Sequence, residues 1–285
     1  MLFSRQSENL ISFGKELIMA YEQKISREKP GLIVMILDDS GSMTDNLPGT
    51  SDPKYQWVER YCGIILNELL NRSSEVKGNG VVIKPRYYLH VIKYGSQTRL
   101  WGQPGMDIQS AVEQFTNSGN SFDLRGQQGG TDAKTAFVEA HDYLKQAVAS
   151  ERFANSFPPM LFHLTDGESQ SDARPVADQI RQLQTSDGNV LLVNAYIGTQ
   201  TSLNYQDPDD FPGYIDEAEA GPSPDNTRLF DMSSPAPDCI EMNLKAENIF
   251  PQLRSGAHLF FDVRTKEMLK HVIQVIGSMG SRMAR

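Results

Sequence analysis

Cysteine is scarce in this chain. Cys62 and Cys239 are the two cysteines among 285 residues, and they stand far apart without a C-x-x-C pair. This scarcity argues against a disulfide framework and against a cysteine-ligated zinc site. We therefore expect free thiols in a reducing compartment.

Long apolar runs and an excess of basic charge are also missing. No apolar stretch reaches the roughly 20 residues that cross a bilayer, and the first nine residues lack the basic and apolar regions of a secretion signal. The 27 basic and 36 acidic residues give a net charge of −9, which argues against a nucleic-acid surface. We expect a cytoplasmic protein that binds neither nucleic acid nor membrane, while its oligomeric state stays open.

Several catalytic signatures are absent too. The glycine-rich stretch 126–130 contains neither G-x-x-x-x-G-K-[ST] nor G-x-G-x-x-G, and no serine stands in a nucleophile elbow. The five histidines are dispersed, and His163 falls within an apolar strand pattern. We expect His163 to be a hydrogen-bonded core residue and not a catalyst.

Strand and helix patterns alternate along most of the chain. The apolar run Leu32–Leu37 is typical of a buried parallel strand. Further strands are predicted at 81–92, 98–101, 160–164, 190–197, 229–232 and 258–263, and helices at 55–71, 107–117, 132–149, 172–185, 239–250 and from 265. This alternation predicts an α/β protein with a Rossmann-like, doubly wound, mostly parallel central sheet and helices on both faces.

Two segments depart from this pattern. Residues 8–29 have apolar residues at helical spacing and end at Pro30, so residues 1–30 are predicted to be a helical extension before a domain at 31–285. Residues 202–226 have seven acidic residues, four prolines and no Lys or Arg. We expect this acidic, proline-rich insertion to be an exposed loop that buries little apolar surface.

Oxygen-bearing side chains follow two of the predicted strands. Asp38, Ser40 and Ser42 stand at alternate positions directly after Leu37, and Asp166 follows the strand that ends at Leu164. Thr131 lies just before the helix predicted at 132–149. Because open α/β sheets place their sites at the carboxyl ends of strands, we expect these side chains to share one edge. Hydroxyl and carboxylate ligands suit Mg²⁺ or Mn²⁺ better than Zn²⁺, with Ca²⁺ as a further option.

These three elements resemble the metal-ion-dependent adhesion site of the von Willebrand factor A family. That site combines D-x-S-x-S with a distant threonine and a distant aspartate, here Asp38-x-Ser40-x-Ser42, Thr131 in Gly-Gly-Thr and Asp166 in Thr-Asp-Gly. The resemblance covers about residues 31–200 in motif order. Taken singly, each residue also suits a turn or a helix cap; in order and together they indicate the metal site.

The resemblance implies specific roles. Ser40, Ser42 and Thr131 would bind the metal directly, while Asp38 and Asp166 would act partly through water. The ion would then accept an Asp or Glu from a partner protein. Members without secretion signals resemble intracellular scaffolds, among them the tellurium-resistance TerY group of bacterial stress proteins and partners of MoxR-type AAA ATPases.

Two other functions compete with this interpretation. Asp38 after a buried strand also resembles the nucleophile of haloacid-dehalogenase-type phosphatases, although Ser40 stands where those enzymes carry a second aspartate. A purely structural domain with a degenerate site is the third. Asp39 is expected to point away from the metal loop, toward solvent or a helix end, and Asp132 to lie in the first turn of its helix.

Overall fold

The computed structural model describes residues 21–78, 80–126, 129–167, 169–198, 203–205, 207–221 and 223–278. The strands are β1 (Gly31–Asp38), β2 (Ser74–Lys77), β3 (Gly80–Ile83), β4 (Tyr87–Tyr94), β5 (Thr98–Asp107), β6 (Met160–Thr165), β7 (Gln184–Thr185), β8 (Gly188–Asn189), β9 (Leu191–Ile197) and β10 (Phe260–Val263). The helices are α1 (Lys54–Arg72), α2 (Ile108–Asn117), α3 (Ala133–Val148), α4 (Arg174–Gln182), α5 (Glu217–Ala220), α6 (Pro224–Met232), α7 (Asp238–Ala246) and α8 (Lys266–Gly277). Short 3₁₀ turns occur at Gly41–Thr44 and Pro208–Asp210.

The central sheet has the strand order β10-β9-β6-β1-β4-β5. All neighbours pair in parallel except β5, which runs antiparallel to β4 at one edge. Every residue of β1 is buried, as expected for a strand covered on both faces. The predicted α/β class with a mostly parallel central sheet is confirmed.

Alternate residues of β1 enter two separate cores. Ile33, Met35 and Leu37 pack with residues of α1, α2 and α8, whereas Leu32, Val34 and Ile36 pack with residues of α3 and α4. This alternation follows from the two-residue period of a strand. The sheet therefore carries helices on both faces. Because β1 and β6 are parallel, their carboxyl ends lie at the same edge of the sheet.

The amino-terminal helix predicted over residues 8–29 is absent from the part of that range that the structure describes. Residues 8–20 lie outside the described residues, and 21–29 form no helix. The Glu22 and Gln23 amides instead donate to the Asp187 carboxylate at 2.7 and 3.0 Å. A distant carboxylate and a local turn at Ser26, whose Oγ accepts from the Lys29 amide at 3.1 Å, thus fix this stretch against the domain. Among the described residues, no helix is long and apolar enough to cross a membrane.

The prediction of an exposed loop at 202–226 is wrong for much of that segment. Phe211 and Tyr214 are fully buried and pack against Phe250, Phe260 and Phe261. The prediction relied on the acid-rich composition and overlooked these two aromatic residues, which attach the segment to the core. One of the acidic residues, Glu219, is paired with a cation outside the segment. The Arg254 guanidinium binds both carboxylate oxygens of Glu219 at 2.9 and 2.6 Å.

A second secondary-structure prediction in this region also fails. Residues 229–232, predicted as a strand, lie within α6. Leu229, Phe230 and Met232 are buried there, and the helix is supported by an Arg228–Asp225 ion pair of 2.5 Å. Four apolar residues are too few to separate a strand from a helix by periodicity.

Candidate metal site

The loop after β1 is organised by the Asp38 carboxylate. Asp38 is fully buried, and its Oδ1 accepts a hydrogen bond from the Ser40 amide at 2.8 Å. This Asx-type turn directs the next residues back over the end of the strand. As a result the Ser40 and Ser42 hydroxyl oxygens lie only 3.1 Å apart.

Asp166 joins the same cluster from the end of β6. The Ser42 hydroxyl donates to Asp166 Oδ1 at 2.7 Å, although the two residues are 124 positions apart in the sequence. The register of β1 and β6 makes this possible, because Leu37 is paired with Leu164. Asp38, Ser40, Ser42 and Asp166 are therefore brought together as the motif predicts.

The second oxygen of Asp38 lies close to two residues that the motif does not include. Thr165 Oγ1 donates to Asp38 Oδ2 at 2.7 Å, and the Tyr94 hydroxyl lies 3.4 Å from the same oxygen. Burial raises the pKa of Asp38, while the hydrogen bonds from Ser40 and Thr165 act in the opposite direction. These donors compensate part of the cost of burying the carboxylate.

Tyr94 is part of a buried hydrogen-bonded chain beneath the loop. Its hydroxyl is 2.9 Å from His163 Nε2, and His163 Nδ1 is 2.8 Å from Asn194 Oδ1. The Asn194 side-chain nitrogen donates to Leu229 O and Ser233 Oγ. The Asn194 side-chain oxygen therefore accepts the hydrogen bond from His163 Nδ1. Burial lowers the pKa of His163 to about 4, and the ring is neutral at pH 7. His163 is a satisfied core residue, as predicted.

Lys54, which the sequence did not identify, supplies a positive charge at the site. It is the first residue of α1, and its Nζ lies 2.7 Å from Asp166 Oδ2 and 3.3 Å from the Ser42 carbonyl oxygen. A cation at a helix amino terminus is locally unfavourable because the helix dipole is positive there. A lysine at the start of a predicted helix was therefore the sequence signal that could have pointed to Lys54. The ion pair with Asp166 explains why a cation is placed there.

Asp39 is neither solvent-exposed nor a helix cap, contrary to the prediction. It is buried, and its Oδ1 accepts from the Arg125 and Gly126 amides at 2.7 and 2.8 Å. Gly126 has φ +60°, and a Cβ there would meet Thr44 Cγ2 at 2.5 Å and the Ser40 carbonyl oxygen at 3.0 Å. Asp39 thus anchors residues 125–126 directly against the Ser40 loop, and the conformation and space at Gly126 favour glycine.

Thr131 lies in the loop before α3. Its carbonyl oxygen accepts from the Gln170 amide at 2.8 Å, and the next residue, Asp132, donates its amide to Gly95 O at 2.8 Å. These bonds tie the loop to the segments that follow β6 and β4. Among the described residues, no hydrogen bond joins the Thr131 hydroxyl to the other four predicted ligands. Asp132 is the N-cap of α3, one residue before the first turn in which it was predicted, and its carboxylate accepts from the Thr135 amide at 3.4 Å and the Thr135 hydroxyl at 2.7 Å.

The donor set suits a hard divalent cation. The atoms that converge are serine hydroxyl and carboxylate oxygens, which Mg²⁺ and Mn²⁺ prefer over sulfur or imidazole. Within the described part of the chain, no group of three or more His, Cys, Asp or Glu side chains is arranged to hold a metal. Any ion at this edge would therefore depend on the serine hydroxyls.

Comparison with known proteins gives matches at the level of structure. No family model matches the sequence, and no curated protein matches it. Manganese-loaded TRAP protein from Plasmodium vivax matches with 20% identity and a TM-score of 0.39, covering 62% of this chain and 60% of that one. The SpRpn10 VWA domain matches with 10% identity and a TM-score of 0.48, covering 90% of this chain and 100% of that one.

A third match is mussel byssus proximal thread matrix protein 1 with a zinc-occupied metal-ion-dependent adhesion site (MIDAS) motif. Its identity is 11% and its TM-score 0.48, over 89% of this chain and 47% of that one. This chain spans about 60% of the TRAP chain and about half of the thread matrix protein. With TM-scores below 0.5, these superpositions are too loose to assign the chain to a family.

Proposed function

We propose that this chain is a metal-dependent protein-binding module of the von Willebrand factor A type. The observation that carries the proposal is the contact of Ser42 with both Asp166, at 2.7 Å, and Ser40, at 3.1 Å. Two motif segments that are 124 positions apart thus share one oxygen cluster at the carboxyl edge of a parallel sheet, where ligand sites of open α/β folds occur. The sequence resemblance supports the same assignment.

In this proposal Ser40, Ser42 and Thr131 hold Mg²⁺ or Mn²⁺ directly, and Asp38 and Asp166 orient its waters and supply charge. The bound ion would serve as a Lewis acid that takes an Asp or Glu carboxylate from a partner protein. The Thr165 hydroxyl keeps the Asp38 carboxylate fixed, and Asp39 fixes the neighbouring loop. The Lys54 ammonium limits the net negative charge of the site.

Binding is favoured over phosphatase chemistry by the state of Asp38. A nucleophilic aspartate must reach its substrate, but Asp38 is fully buried and both of its oxygens accept hydrogen bonds from the protein. Ser40 also cannot serve as the second carboxylic acid that such an enzyme uses. A phosphatase assay with Mg²⁺ tests this point, since metal-dependent turnover that Asp38→Asn abolishes would overturn the binding-only proposal.

A finer proposal rests on the sequence resemblance alone. We place the module in the cytoplasm as a scaffold of a bacterial stress-response or AAA-ATPase-associated complex, similar to the TerY group. Affinity capture from the native host, with Mg²⁺ and with chelator, tests it. Partners lost on chelation would identify the complex, whereas an unchanged set of partners would contradict metal-dependent docking.

Metal binding is tested by calorimetric and thermal titration with Mg²⁺ and with Mn²⁺. At a free ion concentration 100 times the Kd, binding should raise the free energy of unfolding of the native chain by about 2.7 kcal/mol. The Ser40→Ala/Ser42→Ala variant should lose this gain because two hydroxyl ligands are removed. Thr44→Ala is the matched control, since the Thr44 hydroxyl donates to Gly41 O and not into the cluster. Equal shifts in all three proteins would leave a structural domain with a degenerate site.

A further inference from the structure

The hairpin of β2 and β3 exposes an apolar cross-strand pair. Val76 is paired with Val81, and their side chains are 82% and 66% exposed. The opposite face is occupied by Glu75, which binds Lys84 at 2.5 Å and Arg86 at 2.9 Å. The valine face has no such contacts within the described chain, and two β-branched residues are placed side by side in solvent.

The hairpin is also isolated from the central sheet. β2 and β3 pair with each other as a separate two-stranded sheet, so both outer edges present backbone groups that no other strand in the described part of the chain uses. Two-stranded hairpins are marginally stable in water, and apolar pairs of this kind normally gain their stability from a third strand or a covering element. The ribbon therefore has the geometry of an acceptor for an added strand.

This surface lies far from the candidate metal site. The Lys84 amide donates to Ser73 O at 2.7 Å, and the Gly31 amide donates to Arg86 O at 2.9 Å, so the hairpin is attached where β1 begins. Asp38 is at the other end of this eight-residue strand, roughly 23 Å away at 3.3 Å per residue. The two surfaces can therefore be tested separately.

The charge around the hairpin is opposite to that of the chain. Residues 74–86 contain three cationic side chains, Lys77, Lys84 and Arg86, and one anionic side chain, Glu75, in a protein of net charge −9. Glu75 is already paired with two of these cations. An exposed apolar pair with a basic surround is complementary to a segment that alternates apolar and acidic residues.

We propose that the β2–β3 hairpin is a second, metal-independent docking site that takes an extended acidic segment of a partner protein as an added strand. Backbone bonds along the free edge would hold the segment, its apolar residues would cover Val76 and Val81, and its carboxylates would meet Lys77 and the neighbouring cations. A second copy of this chain is disfavoured as the occupant, because an isologous contact would set the same basic residues against each other.

The test uses a fluorescent peptide that alternates valine and glutamate, with EDTA present throughout so that no metal-bridged carboxylate contributes. Saturable binding by fluorescence anisotropy is expected for the native chain. Val76→Thr/Val81→Thr keeps β-propensity but removes the apolar pair, and it should weaken binding about tenfold. Ser40→Ala/Ser42→Ala should bind as tightly as the native chain.

Further arms separate the other possible occupants. A matched valine–lysine peptide should not bind, and Lys77→Gln should weaken binding of the acidic peptide and reduce its salt dependence. No saturable binding, or equal binding by the threonine variant, overturns the proposal. So does valine-dependent binding to phosphatidylserine vesicles without peptide binding, or valine-dependent dimerisation in sedimentation. Because every arm is run without metal, failure here leaves the proposed metal-dependent function untouched.

Discussion

The Lys54 ammonium lies 2.7 Å from Asp166 Oδ2, while the other oxygen of the same carboxylate accepts from the Ser42 hydroxyl at 2.7 Å. The Asp166 side chain is fully buried and that of Lys54 is 13% exposed. A protein-borne cation is thus paired with a proposed metal-site carboxylate. It lowers the net negative charge that a divalent ion would meet.

Replacing Lys54 by methionine should tighten Mn²⁺ binding, because the ion would no longer compete with an ammonium for Asp166. We expect about a tenfold gain in affinity by calorimetry. In chelator the same variant should be less stable by about 3 kcal/mol, since an uncompensated carboxylate remains buried. Lys54→Arg, which keeps the charge, is the control. Unchanged Mn²⁺ affinity in the methionine variant would contradict the competition.

Removal of the Thr165 hydroxyl should destabilise the fold through Asp38. Thr165→Val leaves Asp38 Oδ2 without its 2.7 Å donor, and the expected loss in free energy of unfolding is about 1–3 kcal/mol. Urea denaturation measures it. Thr165→Ser retains the hydroxyl and should stay close to the native value. An equal loss in the valine variant, which lacks only the hydroxyl, and in the serine variant, which lacks only the methyl group, would contradict a specific role of the hydrogen bond to Asp38.

Stability should fall in acid because of His163. Its pKa in the folded protein, about 4, lies below the ordinary value of 6.5, because burial disfavours the imidazolium ion. Between these values the unfolded chain binds a proton that the native chain does not. The contribution is therefore fully present above pH 6.5 and is lost as the pH falls toward 4, by about 3 kcal/mol in total.

The pH effect of His163 is isolated by comparing unfolding free energies of the native chain and His163→Gln from pH 7 to pH 4. His90, whose pKa burial also lowers to about 4, acts in the same direction and is present in both proteins. The native chain should show the steeper decline. Parallel curves would mean that His163 does not contribute.

Phe211→Ala should show that the acid-rich segment is part of the fold. Phe211 is fully buried among Tyr205, Tyr214, Phe250 and Phe261, so its removal leaves a cavity that costs about 3–5 kcal/mol. Ile215→Ala, at a side chain that is 42% exposed in the same segment, should change stability far less. Thermal unfolding compares the two, and equal small effects would mean that the segment folds independently of the core.

Much of the fold follows from local pattern. The uninterrupted apolar residues of β1 and the alternating strand and helix periods predicted a mostly parallel sheet, and the order of Asp38, Ser40, Ser42 and Asp166 predicted which side chains meet. Predictions from local pattern were wrong where a segment is held by residues that are distant in the sequence. Asp187 holds residues 22–23 out of a helix, and Arg254 and three phenylalanines hold the acid-rich segment in the core.

The sequence by itself determined the mostly parallel sheet and the position of Asp38, Ser40, Ser42 and Asp166 directly after two strands, because strand periodicity and the position of a loop after a strand are local properties. The placement of Thr131 as a ligand stays a prediction. Only the tertiary structure revealed Lys54, Thr165 and Tyr94 around those four side chains, and the exposure of Val76 and Val81. Ion pairs and burial join residues that are distant in the chain, and their energies depend on distance and solvent exclusion, which no local pattern encodes.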